Sequence, residues 1–259
     1  VPFDVDAAAP LSFKSIEHRF GGTEVLRSIS FDIPDQKFVA VLGPSGCGKS
    51  TLLQMAAGLL RPSGGTVLQD GRPIEGVNRR IGIVPQQAQL LPWKTLLENV
   101  AFPLVLRGVK RAEWLRRAEE AIAAVDLQGF EGHYPYQLSG GMQKRGSIAR
   151  TLVYGPRLIL MDEPFGALDA QTRMQLQHDL QALVMRAGAS VLLVTHDVAE
   201  AVMLADRVVV LSRRPAQVVA DVAIPLARPR NVFEPHTVPG FAEAYESVWQ
   251  HVRGEMSRR

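Results

Sequence analysis

An α/β fold with a largely parallel sheet is the architecture this sequence predicts, on three observations. Apolar runs of strand length recur: KFVAVLG at 37–43, LILMD at 158–162 and SVLLVT at 190–195. They are continuous rather than alternating, as strands covered on both faces are. Helix-type sequence separates them, from Lys49 to Leu60 and from Leu168 to Arg186, so strand and helix take turns along the chain. The chain has 259 residues, 46% hydrophobic and 21% charged, enough apolar material for a packed core, and this excludes a disordered protein.

The elements follow in order. Residues 1–12 read as a loose leader. They lack a basic stretch followed by an apolar one, so no secretory signal is expected; Val1 in place of Met leaves room for residues upstream. Short β-type runs, FKSIEHRF and SISFDI, lie between Phe13 and Ile33. KFVAVLG stops at a glycine, and TVLQDGRPI and RRIGIV are further strands around a turn at Asp70-Gly71. From Thr95 to about Leu127 the pattern is helical, and Pro103 is expected to kink or break the first helix. Another helix begins near Gly141. RVVVLS and QVVADV pair as a closing hairpin. A Pro- and Arg-rich stretch from Arg228 leads to a short amphipathic helix near Phe241–Val252.

Composition narrows the function classes. No run approaches the ~18 apolar residues of a membrane span. The 29 basic and 26 acidic residues give +3, too small a surplus to argue for nucleic acid. One cysteine, Cys47, excludes an intrachain disulfide framework and a multi-cysteine zinc site, and fits a reducing compartment. The expectation is an intracellular protein whose membrane role, if it has one, goes through a partner.

GPSGCGKST, from Gly43 to Thr51, matches G-x-x-x-x-G-K-[ST] between a strand and a helix. In such a loop the backbone of Gly43, Pro44, Ser45, Gly46, Cys47 and Gly48 wraps phosphates, and successive N–H groups with the helix N-terminus bind the anion. Lys49 adds charge at the β and γ phosphates. Ser50, with Thr51 beside it, offers a hydroxyl to Mg²⁺. LILMDEP supplies a second half: Asp162 suits the metal's ligand shell, and Glu163 suits a general base against the γ-phosphate. Cys47 lies among loop N–H groups beside Lys49, where a thiolate is expected to be favoured; as a small residue in a tight loop, its expected role is steric only.

Leu138-Ser139-Gly140-Gly141-Met142-Gln143 resembles the signature motif of ABC-type ATPases. It stands 90 residues after Lys49 (139 against 49) and shortly before LILMDEP, as in that family. The resemblance covers about residues 13–222. It implies an ATP-hydrolysing P-loop NTPase of RecA-like core, with an N-terminal antiparallel β part and an inserted α-helical subdomain. Residues 1–259 are then one ABC ATPase domain: a nucleotide-binding core at about 13–86 and 156–222, a helical subdomain with the signature at about 87–155, and a C-terminal extension at 223–259. Ser139, Gly140 and Gly141 open a helix and form another anion site. Two phosphate-binding helix starts for one γ-phosphate imply a head-to-tail homodimer, each chain covering the other's nucleotide.

By the same resemblance, Gln86 matches the glutamine that contacts Mg²⁺ and the attacking water, and His196 the switch histidine at the γ-phosphate. Ala167-Leu168-Asp169 matches the loop that crosses to the partner, and Phe20 the aromatic that stacks on adenine. Pro85, Gly166, Met142 and Lys144 depart from common family residues, and none removes a catalytic group. LLPWKTLLENVAF, LSGGMQKR, DEPFGALDAQTR and THDVAEAVMLADRVVVLSRRP look like the ATPase subunits of nitrate-, sulfonate- and taurine-type importers. Only 63 residues follow His196 (259 less 196), too few for the large regulatory domain of sugar-type importer ATPases. The implied partners are integral-membrane permease subunits and, indirectly, a solute-binding protein, at the cytoplasmic face of the bacterial inner membrane. Leu90, Leu91 and Trp93 are expected to form an exposed apolar patch where a permease helix docks. An ABC-type ATPase of DNA maintenance is the alternative, but such chains carry long coiled coils between the nucleotide motifs. A GTPase would need an N-K-x-D motif, which is absent.

Overall fold

A computed structural model describes residues 9–166 and 168–257. The three continuous apolar runs become β3 (Phe38–Leu42), β7 (Leu158–Asp162) and β8 (Ser190–Thr195). With β6 (Ile81–Val84), β9 (Arg207–Leu211) and β10 (Val218–Ala223) they form one sheet in the order β10-β9-β3-β8-β7-β6. All neighbours run parallel except the β9–β10 hairpin. A second, antiparallel sheet has the order β2-β1-β4-β5, from β1 (Leu11–Phe20), β2 (Thr23–Ile33), β4 (Gly64–Gln69) and β5 (Arg72–Pro73).

The apolar runs are continuous because two cores compete for them. Phe38, Ala40 and Leu42 of β3 face one core, while Val39 and Val41 face the other. Strands β7 and β8 divide in the same alternating way. One core lies between the two sheets, around the helix α1 (Lys49–Ala56). The other packs α2 (Leu96–Leu106), α3 (Arg111–Ala123), α4 (Gly140–Leu152), α5 (Ala170–Ala187), α6 (Val198–Leu204) and α7 (Phe241–Ser257) on the opposite face.

Three expectations are corrected. The loose leader falls largely on residues 1–8, outside the described residues, but Leu11 and Ser12 already belong to β1 and pair with Ile33 and Asp32. Pro103 does not end its helix: α2 runs through it to Leu106. Proline there deletes the bond to the Asn99 carbonyl, but Val100, Ala101 and Leu104 are buried, and a Thr95–Glu98 capping box fixes the helix start. The final helix is longer than predicted and reaches Ser257.

The Pro- and Arg-rich stretch is a clamp rather than a tail. Arg230 is buried, and its guanidinium donates to the carbonyls of Val202 at 2.6 Å, Ala205 at 2.7 Å and Leu226 at 3.0 Å. It thereby satisfies carbonyls at the C-terminal end of α6, where a cation is favoured. Burial, with Arg228 beside it, lowers its pKa to about 10, so it stays charged at neutral pH.

Strand β6 is an edge of the large sheet. Its outward carbonyls are met by side chains from one face of α4 and the residues just after it. Tyr154 Oη donates to Ile81 O at 3.0 Å, and Thr151 Oγ1 to Ile83 O at 3.0 Å. Beyond the strand, Lys144 Nζ donates to Pro85 O at 2.5 Å and Gln86 O at 3.0 Å. Thr151→Val keeps the shape but strands a partly buried carbonyl. It should lower stability by about 1–3 kcal/mol, read as a fall in the denaturant midpoint at constant slope.

Candidate functional site

The site forms where β3, β7 and β8 end side by side. Parallel register pairs Leu42 with Thr195 and Asp162 with Val194. The next residues of each strand, Gly43, Glu163 and His196, therefore leave the sheet at one end, where open α/β sheets bind ligands.

Gly43–Gly48 then loops into α1. A Cβ on Gly43 would stand 3.1 Å from both Cys47 Sγ and Leu211 O, so the loop's first residue must be small. Gly48 has φ 120, and a Cβ there would meet Leu26 Cδ2 at 2.7 Å; β2 presses directly on the loop. Ser45, Gly46 and Ser50 face outward, and Pro44 and Thr51 are half-buried. Lys49 is 5% exposed. Its Nζ donates to Gly43 O at 2.8 Å and Pro44 O at 3.0 Å and lies 3.9 Å from Glu163 Oε1.

The carboxylates converge on the same point. Ser50 Oγ donates to Asp162 Oδ1 at 3.1 Å. Burial pushes the Asp162 pKa up, against the opposing pull of Ser50 and Lys49. Glu163 Oε2 lies 3.2 Å from His196 Nδ1. Glu163 itself has φ 40, a left-handed conformation that costs of order 1–3 kcal/mol in a non-glycine residue. Its N–H donates to Val194 O at 2.9 Å, which ties this turn to β8. Ser50 Oγ and Asp162 Oδ1 are hard oxygen donors of the kind Mg²⁺ takes, together with waters and phosphate oxygens. The donor set fits that ion.

The remaining predicted residues are more scattered. Gln86 is exposed, and among the described residues its side chain bonds to none of Ser50, Asp162 and Glu163; its carbonyl is held by Lys144. Phe20 ends β1, 51% exposed, edge-on to His18 with ring centres 4.5 Å apart. Ser139 caps α4 by accepting from Met142 N at 3.2 Å, and with Gly140 it faces solvent. A Cβ on Gly141 would meet Thr172 Cγ2 at 2.7 Å, so the start of α4 lies against the start of α5. Asp169 caps α5 by accepting from Thr172 N at 3.0 Å, and that bond lowers its pKa. Ala167, of the same predicted loop, lies outside the described residues. A cleft of about 820 Å³ along 69–80 and Arg157 lies elsewhere.

Two expectations fail here. Cys47 is buried, and burial raises its pKa despite Lys49; desolvation outweighs the nearby cation, so a favoured thiolate is excluded. Leu90 is buried, its Cδ1 3.5 Å from where a Cβ on Gly146 would stand. It anchors the connector to α4 instead of joining an exposed patch. Asn99 pins that connector by accepting from Leu91 N at 2.7 Å and donating to Leu91 O at 3.1 Å. Leu91 is half-buried and Trp93 is 71% exposed.

Sequence reasoning passed over Arg173 and Glu200, and noted Lys144 only as a departure from the family pattern. Lys144 is buried, and burial lowers its pKa to about 8; it bridges α4 to the backbone at Gln86. Its signal was a charge on the buried face of a helix.

Comparison with known proteins adds the following. The family model described as ABC transporter matches residues 26–166. An uncharacterized ABC transporter ATP-binding protein of Methanocaldococcus jannaschii is 50% identical over 214 residues, covering 82% of this chain and 80% of that one. An aliphatic sulfonates import ATP-binding protein of Pseudomonas putida is 44% identical, with 85% and 79% covered. A taurine import ATP-binding protein of Rhizobium johnstonii is 44% identical, with 89% and 90% covered. Among solved structures, a dimeric ATP-binding cassette in a post-hydrolysis state, bound to ADP and Pi, superposes with a TM-score of 0.73 at 32% identity, covering 83% of this chain and 98% of that one.

The buried thiol yields a direct expectation. Iodoacetamide should label Cys47 in the folded chain on the order of 100-fold more slowly than in denaturant at the same pH, measured by mass spectrometry against time.

Proposed function

The chain belongs to the ABC transporter family and is an ATP hydrolase coupled to transport, and from that premise we propose that it energises a bacterial importer of a small anionic or organic solute. The sulfonate and taurine importers named among its relatives support that class. One observation carries the hydrolytic reading: the Glu163 carboxylate lies between Lys49, at 3.9 Å, and His196, at 3.2 Å.

The roles follow from that geometry. N–H groups from Gly43 to Thr51 and the start of α1 hold the phosphates. Lys49, now spent on two loop carbonyls, turns to the β and γ phosphates. Glu163 takes a proton from the attacking water, and His196 fixes the carboxylate and reaches the γ-phosphate. Bound Mg²⁺ would be held by Ser50 and Asp162, with Gln86 closing on it, and would neutralise phosphate charge. Phe20 stacks on the adenine. Ser139 and Gly140 face outward and, with the half-buried Gly141, serve the nucleotide of a second copy, which Asp169 and its loop approach, so the working unit is a head-to-tail homodimer. The dimeric cassette of similar fold supports this.

Residues 1–259 form one ATPase unit, with core, helical subdomain and C-terminal extension as bounded above. The chain works at the cytoplasmic face of the inner membrane as a peripheral subunit. No described helix is long and apolar enough to cross a membrane, so solute passage falls to permease subunits fed by a solute-binding protein. Trp93, with Val105 and Leu106 at the end of α2, is exposed and offers the permease an apolar contact. A DNA-maintenance role is disfavoured: between the phosphate loop and the signature, the longest helix, α3, has 13 residues, and no coiled coil is present among the described residues.

Glu163→Gln should lower kcat by about 10²–10⁴-fold while ATP binding persists, and ATP with Mg²⁺ should hold the variant as a dimer on gel filtration. Wild-type turnover would remove Glu163 from the role of base. Trp93→Asp should leave the isolated subunit folded and hydrolysing ATP but abolish co-purification with the permease. For the solute, ATPase activity of the reconstituted complex should be stimulated by binding protein loaded with taurine, an alkanesulfonate or nitrate. Stimulation by none of them rejects this importer class.

A further inference from the structure

A second buried acid stands beside Glu163 and has no role in the reaction described so far. Glu200 is the one charged residue in α6, VAEAVML, and is 8% exposed. Its backbone N–H donates to Asp197 Oδ1 at 3.0 Å as part of the helix cap. Its side-chain Oε1 is buried with no hydrogen-bond partner among the described residues. Glu200 lines a cavity of about 50 Å³ together with Glu163, His196, Thr195 and Arg173. Arg173, on α5, donates to the Leu168 carbonyl at 3.0 Å, while its Nε is buried and also without a partner. Leu168 N–H in turn donates to Phe165 O at 3.2 Å, and Gly166 N–H to Glu163 O at 3.3 Å. The Arg173–Leu168 bond therefore braces the turn that carries Glu163.

Two buried polar groups of opposite character are placed across a cavity, each short of one bond. Such groups are costly unless they pair or share a water, and the cavity exceeds the roughly 15 Å³ that a water needs. The charged and titratable groups facing Glu200 are Asp197 from its own turn, Glu163 from the end of β7, His196 from the end of β8 and Arg173 from α5; the Thr195 hydroxyl also bonds to it. Burial first, and Asp197 second, push its pKa up to about 8. Burial in this setting favours the neutral acid.

We propose that Glu200 is a positioning residue for ATP hydrolysis. As a neutral acid it leaves Arg173 on the Leu168 carbonyl, holding the Glu163 turn in place; as a carboxylate it draws the guanidinium across the cavity and releases that turn. The change is the loss of one proton from the Glu200 carboxyl to water, and no other covalent bond is altered. Because the neutral form is the working one, kcat falls as pH rises through about 8. Folding is linked in the same sense: between the ordinary carboxyl value of 4.5 and about 8 the folded state holds a proton that the unfolded state has lost, so this group's contribution to stability declines across that window.

The proposal rests on Glu163 being the base, and one set of assays separates the two ideas. Steady-state ATPase is measured on the full chain from pH 6.5 to 9.5. Glu200→Ala should lower kcat about tenfold through misplacement of Glu163, with KM for ATP within about twofold of wild type. Glu200→Gln, a permanently neutral isostere, should recover most of that loss at pH 7 and abolish the alkaline fall. Arg173→Gln, on the half-exposed face of α5, should show the same loss at pH 7 and no alkaline fall, which keeps the test open if a Glu200 variant does not fold. An alkaline limb in Glu200→Gln identical to wild type overturns the proposal. So does a loss in Glu200→Ala confined to KM. Glu163→Gln, run alongside, fails independently: wild-type turnover there removes the base, whatever Glu200 does.

Discussion

Parallel pairing of β3, β8 and β7 sets Leu42 beside Thr195 and Val194 beside Asp162. Everything chemical in the molecule hangs on that register. A slip of one residue in any of the three strands would exchange its two faces between the two cores, because each strand sends alternate side chains into each. The hydrophobic effect that fixes the strands thus also fixes where Gly43, Glu163 and His196 emerge. The left-handed backbone at Glu163 persists because strands on both sides determine the turn more strongly than its own preference does.

Charges buried around this point follow one pattern: they are satisfied chiefly by main-chain carbonyls rather than by opposite charges. Lys49 bonds Gly43 and Pro44, Lys144 bonds Pro85 and Gln86, and Arg230 bonds Val202, Ala205 and Leu226. Each cation so placed joins segments that sequence keeps apart. Lys144 joins the helix opened by Ser139 to the backbone at Gln86. Arg230 joins the C-terminal extension to α6, whose other end follows His196. Such links are stiff, because breaking one leaves both a charge and a carbonyl without a partner in a dry interior.

Much of this architecture was legible in the residues. The continuous runs pointed to the parallel strands, and GPSGCGKST and LILMDEP pointed to the residues that gather at their ends, because a loop that is to bind phosphate demands a fixed residue type at a fixed spacing. The misreadings share a cause. The break allowed at Pro103, the thiolate at Cys47 and the exposure of Leu90 were judged from local preference, and in each case tertiary packing overruled it. Pro103 sits in a helix whose flanking residues are buried, Cys47 is desolvated, and Leu90 is turned inward by a connector that Asn99 pins. Glu200 and Arg173 were passed over because their significance lies in facing each other across α5 and α6, a relation no single stretch of sequence displays. The resemblance to a family supplied Phe20 and Gln86, whose side chains make no polar contact with the other site groups that would have singled them out.

The row of donors along β6 has one further consequence. An edge strand exposes alternate carbonyls and amides to any passing chain, and natural sheets guard against uncontrolled strand addition at such places. Here Tyr154 and Thr151 occupy the carbonyls of Ile81 and Ile83, so incoming backbone finds its acceptors already taken. Growth of the sheet through this margin into an intermolecular ribbon is thereby disfavoured. Such cover lowers the tendency of this margin to aggregate.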